Sequence, residues 1–284
     1  MGRMQGKSRF ATALAAVFAA ALLTAPSAGA APNVTIGSPL ALSFTSTAFM
    51  NVATTANLAL PEPDARTTSP VFGTVVRWRV LQAAGGPLRL QVLRPNENGT
   101  FTAVATSGPQ TPQSLGTEEF ATNLPIQPGD RIGVVNTNNS DKLGVVTVAG
   151  ASLVFWAPPL ANNESRAPNP MGPFTAEIAL NADVRPVSND FSFGGVKKNK
   201  NKGTAKLTVS VPDPGTLSLS GTGLKKTTAE ATQPGDVTLA VKSKGNKKTK
   251  LKSTGKVKVK PTVTFAPTGI DPGTESKKLV LKKN

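Results

Sequence analysis

The chain has 284 residues, with 32 lysines and arginines against 16 acidic residues, which gives a formal net charge of +16. It contains no histidine, no cysteine and no tyrosine. Without histidine or cysteine there is no Ser-His-Asp triad, imidazole metal ligand, thiolate nucleophile, disulfide or structural zinc cluster. The composition therefore predicts a protein that is not an enzyme and holds no cofactor and no metal.

The first thirty residues have the pattern of a secretory signal peptide. Arg3, Lys7 and Arg9 precede an apolar run over residues 10–23, and the small residues Ala28-Gly29-Ala30 follow. The run is too short to cross a bilayer core of about 30 Å as a helix. The sequence predicts a signal peptide over residues 1–30. We expect a mature protein that is secreted, extracellular or wall-associated, with no transmembrane segment.

Charge divides the rest of the chain into two parts. Residues 31–190 contain nine basic and eleven acidic residues, for a net charge of −2. Residues 191–284 contain twenty lysines, no arginine and five acidic residues, for a net charge of +15. A simultaneous change in charge and in basic residue type indicates a module boundary. We predict domains over residues 31–189 and 190–284.

The first part reads as a series of short strands. Gly73–Gln82 and Leu88–Val92 alternate in polarity, and the glycine-rich turn Ala83–Pro87 between them predicts a β-hairpin. Similar runs follow, separated by turns rich in glycine, proline and asparagine, and none has the apolar spacing of a helix. This pattern predicts an all-β fold, with residues 31–189 forming a jelly-roll-like β-sandwich.

The second part alternates more regularly. Leu207, Val209 and Val211 alternate with polar residues, and the stretch from Lys256 to Phe265 reads as the longest strand. About seven strands in a segment of this size are typical of an immunoglobulin-like sandwich, although the cysteine and tryptophan marks of that fold are missing.

Several stretches of the sequence carry a family resemblance. The segments Gly73–Val80 and Ala179–Val184, together with the signal sequence, resemble uncharacterised secreted β-sandwich proteins of high-GC Gram-positive bacteria. The lysine-rich segments Gly203–Val209 and Ser253–Val259 resemble an immunoglobulin-like module at the C-terminus of such proteins. The resemblance implies a secreted two-module protein, and it implies no activity and no functional residue.

The first part offers few candidates for chemistry. Glu118 and Glu119 are adjacent, so on a strand they point to opposite faces and do not form a catalytic pair. Trp78 and Trp156 are in register with valines, which favours core packing over sugar stacking. The better ligand face is a set of four polar residues, with an ordinary solvated sheet face as the alternative: Arg77, Arg79, Arg89 and Gln91.

Two local motifs in the second part resemble enzyme motifs only in spacing. Ser253-Thr254-Gly255-Lys256 has a Ser-x-x-Lys spacing, but the glycine and the following Lys/Val strand favour a hairpin turn. Gly221-Thr222-Gly223 precedes two lysines, but it lacks the spacing and the helix of a phosphate-binding loop.

The large number of lysines in residues 191–284 is the most unusual feature of the sequence. Lysine on edge strands prevents aggregation, and a high net charge keeps a secreted protein soluble, but +15 on one small module exceeds both needs. The absence of arginine and of aromatics other than Phe191, Phe193 and Phe265 argues against sequence-specific nucleic-acid binding. We predict polyanion binding by ten residues: Lys197, Lys198, Lys200, Lys202, Lys242, Lys244, Lys247, Lys248, Lys250 and Lys252.

The expected function is non-catalytic binding or adhesion at the cell envelope. The lysine-rich module would contact anionic cell-wall polymers or other extracellular polyanions, and the first module would present a surface to a glycan or protein ligand. One alternative is an extracellular carbohydrate-binding or carbohydrate-active protein acting through the first sandwich. Another is a structural protein that self-associates through its sheet edges.

Overall fold

The computed structural model describes residues 31–284, which are 51% strand and 4% helix. The all-β prediction is confirmed. The predicted signal peptide at residues 1–30 lies outside the described residues. Within residues 31–284, no helix has the length and apolar character that crossing a membrane requires.

Thirteen strands lie between residues 34 and 186. They are β1 (Val34–Gly37), β2 (Thr45–Ala48), β3 (Thr54–Ala59), β4 (Gly73–Val80), β5 (Arg89–Pro95), β6 (Phe101–Thr106), β7 (Glu118–Ile126), β8 (Arg131–Val135), β9 (Lys142–Val146), β10 (Ser152–Trp156), β11 (Ser165–Arg166), β12 (Glu177–Ile178) and β13 (Leu180–Pro186). They form antiparallel sheets in the orders β1-β13-β4-β7, β10-β3-β8-β5-β6-β11 and β12-β9-β2.

An apolar core lies between the four-stranded and the six-stranded sheets. Trp78 and Val80 of β4, Leu180 of β13 and Leu90 and Val134 of the six-stranded sheet belong to one buried cluster. A second cluster includes Trp156 and covers the other face of the six-stranded sheet. Both faces of that sheet are therefore buried over part of their area, which explains the runs of four consecutive buried residues in β8 and β10.

The predicted hairpin of Gly73–Gln82 with Leu88–Val92 is wrong. Strand β4 pairs with β7 and β13, whereas β5 pairs with β6 and β8 in another sheet. The turn between them is held elsewhere: the Ala84 amide donates to Lys142 O, and the Gly86 amide donates to the Asp141 carboxylate. Because the turn is anchored there, it carries the chain from one sheet to the other.

Nine strands and one helix lie between residues 192 and 282. They are β14 (Ser192–Asn199), β15 (Thr204–Val211), β16 (Gly215–Ser220), β17 (Thr227–Ala231), β18 (Gly235–Lys242), α1 (Gly245–Thr254), β19 (Lys256–Val259), β20 (Thr262–Pro267), β21 (Gly273–Ser276) and β22 (Leu279–Lys282). Their antiparallel sheets have the orders β14-β15-β18, β17-β16-β20-β21 and β19-β22.

Most of these strands bury one face around a single cluster, whereas β14 and β21 have no buried residue. Leu207, Val209 and Val211 of β15 point into it, and the polar residues between them are exposed or half-buried. Val257 and Val259 of β19 are buried, while Lys256 and Lys258 are exposed. The predicted alternation in these strands is confirmed.

The predicted long strand from Lys256 to Phe265 is two strands in different sheets. Strand β19 ends at Val259 and pairs with β22, whereas β20 begins at Thr262 and pairs with β16 and β21. Pro261 lies between them, and proline has no N–H to continue a ladder.

A helix occupies residues for which none was expected. Helix α1 buries only Leu251 and has no apolar stripe, so its sequence lacks the periodic signal by which helices are recognised. Gly255 ends it in the left-handed region, at φ 67°, and its amide donates to Leu251 O at 3.1 Å. This glycine cap explains why the helix ends at Thr254, two residues before Lys256.

Three polar contacts join the two parts of the chain. The Arg185 guanidinium lies 2.9 Å from an oxygen of Asp213, and the Ser188 amide donates to the other oxygen. The Asn189 amide group donates to Asp271 O at 2.9 Å. Within the described residues no strand ladder crosses residues 187–191, and the buried clusters on either side share no member.

We expect residues 31–188 and 190–284 to fold when each is produced alone, because each part pairs its own strands and buries its own apolar faces. The 190–284 fragment should be about 1–2 kcal/mol less stable than the same strands in the mature chain, since Asp213 loses its Arg185 and Ser188 partners. Circular dichroism and thermal unfolding of both fragments provide the measurement. Non-cooperative unfolding of both fragments, beside cooperative unfolding of the mature chain, would contradict separate folding.

Candidate functional site

The predicted ligand face of the first part is divided between two sheets. Arg77 and Arg79 lie on β4, while Arg89 and Gln91 lie on β5 in the other sheet. Gln91 is buried, and its amide donates to the Thr106 hydroxyl and to Leu160 O. The expected single face is therefore wrong because it depended on the β4–β5 hairpin. Gln91 cross-links the interior.

Arg77 and Arg79 converge on one buried carboxylate. Both guanidinium groups donate to Asp183 of β13, whose side chain is 4% exposed, and Arg79 Nη2 does so at 2.8 Å. Glu119 of β7 contacts the same two arginines at 3.3 and 2.9 Å. The Thr35 hydroxyl completes the set by donating to Asp183 at 2.7 Å.

This arginine network neutralises itself. Burial opposes ionisation of Asp183, but hydrogen bonds from Arg79, Thr35 and Arg77 outweigh it and lower the pKa of Asp183 to about 2. The bond to Asp183 in turn raises the pKa of both arginines. Two positive and two negative charges thus balance across three strands, so the guanidinium groups are engaged inside the sheet.

Both tryptophans are in the core, as their register predicted. Trp78 is fully buried and its ring centroid lies 4.9 Å from that of Phe120. Trp156 is 1% exposed, and its indole N–H donates to Arg166 O at 3.0 Å. Neither ring has an open face on which a sugar can stack.

The adjacent acids point apart, as expected for neighbours on a strand. Glu119 contacts the arginine network, whereas Glu118 accepts hydrogen bonds from the Gln113 and Ser114 amides of the preceding turn. They do not form a pair of carboxylates across one substrate.

A different pair of carboxylates was missed by sequence reasoning. Glu177 of β12 is fully buried beside Glu62, and neither of its oxygens makes a hydrogen bond of normal geometry within the described residues. Burial raises the pKa of Glu177 to about 7; the nearby Ser38 hydroxyl lowers it in part, and the charge of Glu62 raises it further. The two residues are far apart in sequence, and nothing in their local patterns signals that they meet.

The two enzyme-like motifs have other structural roles. Ser253 lies in the last turn of α1, and Gly255 ends the helix before Lys256, so a helical turn does not bring that lysine over Ser253. The predicted hairpin turn at this position is wrong, because the segment is the C-terminus of α1. The Gly221–Gly223 stretch makes a tight turn between β16 and β17, and no helix follows it.

The sheet register brings the two predicted lysine segments together. Asn199 of β14 pairs with Thr204 of β15, and Thr204 pairs with Lys242 of β18. The turn that carries Lys200 and Lys202 is therefore next to the end of β18, from which α1 continues. We call this end of residues 191–284 the basic end and define it by the ten lysines predicted above; nine of them are exposed and Lys247 is half-buried.

Three of the five acids of this part lie at the opposite end. Asp213 contacts Arg185, the Asp271 carbonyl accepts from Asn189, and Asp236 is the second residue of β18. Lys242 lies six positions after Asp236 along β18, which corresponds to about 20 Å. Every ion pair within residues 31–284 uses an arginine, so no lysine of the basic end has a carboxylate within 4.0 Å.

The strand pairing places lysines directly opposite one another. Lys197 of β14 faces Lys206 of β15, and Lys256 of β19 faces Lys282 of β22. In α1, Lys248 and Lys252 are one turn apart, with no acid in the first turn. Like charges in these positions destabilise a sheet or a helix. An anion bound at this end would relieve that repulsion.

An apolar cavity is present in the first part. It has a volume of about 430 Å³ and lies beside β2, β9 and β10, with Phe49, Phe155 and Phe174 in its wall. The rings of Phe155 and Phe174 are stacked with centroids 6.0 Å apart, and Met50 at the wall is 73% exposed. Its volume lies in the range of small-molecule sites.

No protein-family model matches the chain, and a search of curated proteins also found no match. Within residues 31–284, no three acidic side chains come together as potential metal ligands.

We expect Asp183→Asn to lower the free energy of unfolding by about 2–3 kcal/mol at pH 7, because it leaves two arginines without their shared counter-charge. The lowered pKa of Asp183 stabilises the fold above its unfolded pKa of about 4, and this stabilisation is lost as the pH falls towards 2. The variant should therefore lose less stability than the wild type in this acid range. Urea unfolding across pH is the measurement. Glu119→Gln is the control: its side chain is 47% exposed, so we expect less than about 1 kcal/mol.

We expect Glu177→Gln to stabilise the protein at pH 8 by about 2 kcal/mol. The raised pKa of Glu177 means that ionisation is disfavoured in the folded state, so wild-type stability is full below pH 4.5 and falls as the pH rises towards 7. Glutamine mimics the protonated acid and should flatten this dependence. Glu97→Gln, in the exposed β5–β6 turn, should keep the wild-type dependence. Thermal unfolding between pH 5 and 8 tests the prediction, and a wild-type stability that does not fall over this range would refute it.

Proposed function

We propose that the chain is a secreted protein of two β-sandwich modules, jelly-roll-like over residues 31–189 and immunoglobulin-like over residues 190–284. Two facing sheets around one core in the first part, and a separate core in the second, support this proposal. The signal-like sequence and the resemblance to secreted proteins of high-GC Gram-positive bacteria support export.

We propose that the protein binds anionic polymers of the cell envelope through the basic end and serves in attachment, without catalysis. The observation that carries this proposal is the separation of charge within residues 191–284. Ten lysines from two distant segments gather at one end with no carboxylate partner, while Asp213, Asp236 and Asp271 lie at the other. A high net charge is enough to keep a protein soluble. Solubility does not require the lysines to lie together at one end, where they repel one another.

Recognition at the basic end is electrostatic in character. Lysine carries a compact, strongly hydrated charge, which suits repeated charges better than the planar, bidentate contacts that arginine makes with bases. Phe191 and Phe265 are buried, and the rings of Phe191 and Phe193 pack edge-to-face. No aromatic side chain of this part is thus free to stack on bases.

The apolar cavity favours a second candidate function. Its aromatic wall and its volume of about 430 Å³ suit a small ligand, so the first module can bind a glycan or another partly apolar molecule while the second is held on a polymer. This keeps carbohydrate binding as the alternative for residues 31–189. Glycoside hydrolysis is less well supported, because Glu118 and Glu119 point apart and Glu177 is buried.

We expect a variant with six glutamine replacements to bind isolated Gram-positive walls more weakly and with a shallower salt dependence. The replaced residues are Lys242, Lys244, Lys247, Lys248, Lys250 and Lys252. If each contacts the polymer, the slope of log affinity against log salt should fall by about 4, at roughly 0.7 per charge on a flexible strand. Retention of wild type and variant on walls across a salt series is the measurement.

The control for this experiment is to verify that the variant with six glutamines is still folded. Glutamine has a helix propensity close to that of lysine, so α1 should persist and thermal unfolding should stay cooperative. Unchanged retention and an unchanged slope in a folded variant would assign the lysines to solubility. Sedimentation of the wild type tests self-association through sheet edges, which predicts assembly without any polymer.

A further inference from the structure

Six lysines line one groove at the basic end, which we name the lysine groove. They come from separate segments, namely the β14–β15 turn, the turn before β17, the end of β18, helix α1 and the residue after β22: Lys202, Lys225, Lys242, Lys248, Lys252 and Lys283. Thr204, Ser243 and Leu251 also line the groove, and no carboxylate does. Its volume is about 200 Å³.

The backbone under the lysine groove is fixed by hydrogen bonds. The Lys225 amide donates to Lys242 O at 2.8 Å, and the Lys283 amide donates to Gly255 O at 2.7 Å. The β14–β15 turn rests on α1: a Cβ at Gly203, which has φ 65°, would lie only 2.8 Å from Leu251 Cδ2. The positions from which the lysines project are thus set before any ligand arrives, which lowers the entropy cost of binding.

The groove has the size for one charged group of a larger ligand. Its volume is below the range of about 300–1,000 Å³ in which drug-sized molecules bind. A second groove of about 650 Å³ continues from it and shares Lys202 and Lys242. Lys197, Lys198, Lys200 and Lys206 line that second groove, again with no carboxylate. A linear polymer can place one group in the lysine groove and continue along the second one.

We propose that the lysine groove binds a phosphate group of a linear phosphate polymer, and that the polymer continues across the second groove. This inference rests on the proposed function and assigns to it a site and a ligand class. Residues 191–284 contain no arginine, whose planar fork matches carboxylate and phosphate alike, so their positive charges are all lysines, which bind phosphate as point charges. Ammonium groups converging from several directions suit the oxygens of a tetrahedral phosphate, which point several ways.

The chain offers a matched control on another side of the same module. Lys247, Lys258, Lys260 and Lys278 surround a depression of about 680 Å³ whose walls include Val259, Leu279 and Val280. The test variant is K202Q/K242Q/K248Q/K252Q and the control variant is K256Q/K258Q/K260Q/K278Q. Each removes four charges, and the control changes none of the residues that line the lysine groove.

The experiment measures the affinity of the mature protein for inorganic polyphosphate and for poly-glutamate of equal charge, across a salt series. We expect the affinity of the test variant for polyphosphate to fall about tenfold or more, and its slope of log affinity against log salt to fall by about 3. The affinity of the control variant should fall by no more than about threefold. The wild type should bind polyphosphate more tightly than poly-glutamate. Lysine-reactive labelling of the wild type should show protection by polyphosphate at Lys242, Lys248 and Lys252 but not at Lys258 and Lys260.

Three other results of this experiment would each refute one part of the proposal. Equal losses in both variants, or equal protection at both sets of lysines, would refute the groove and leave diffuse polyanion binding in place. Equal wild-type affinity for the two polymers would refute the phosphate assignment. Failure of the wild type to bind either polymer at low salt would refute the proposed function itself. If the test variant loses cooperative unfolding, the affinity of K242Q/K252Q and the labelling of the wild type show whether the lysine groove binds the polymer.

Discussion

Residues 191–284 carry a net charge of +15 and are held together by the apolar faces that most of their strands bury in one cluster. Because side chains alternate across a strand, each buried valine or leucine of β15 and β19 fixes the direction of the lysines beside it. The lysines repel one another in the folded chain, most directly at the pairs Lys197–Lys206 and Lys256–Lys282. The apolar core must offset this repulsion, and no disulfide assists it because the chain has no cysteine. The buried apolar residues thus determine where the lysine side chains lie on the surface.

The two kinds of basic residue have different roles. Four arginines are paired with buried carboxylates: Arg77 and Arg79 with Asp183, Arg94 with Asp130, and Arg185 with Asp213. The forked guanidinium satisfies a buried carboxylate and joins neighbouring strands, or, at Arg185, the two parts of the chain. The lysines of the basic end have no such partner, and their charge remains available to a ligand. This difference between paired arginines and unpaired lysines is the main physical reason to propose binding by the second part.

The sequence predicted features that depend on local alternation and missed features that depend on long-range pairing. The all-β class, the buried faces of β15 and β19 and the burial of both tryptophans follow from period-two patterns. The β4–β5 hairpin failed because nothing local reveals that Asp141 anchors the turn. Helix α1 was missed because four lysines and one buried leucine give no apolar stripe. The Glu62–Glu177 pair and the lysine groove join residues that only the folded topology brings close.

The separation of charge within residues 191–284 makes this part of the molecule a large electric dipole. Near a negatively charged surface, such a dipole experiences a torque as well as an attraction, so molecules arriving by diffusion turn their lysines towards the surface before contact. Arg185 and Asp213 join the opposite, acid-bearing end to the first part. Molecules adsorbed in this way would stand with a common orientation, and the apolar cavity of every copy would be presented in the same direction.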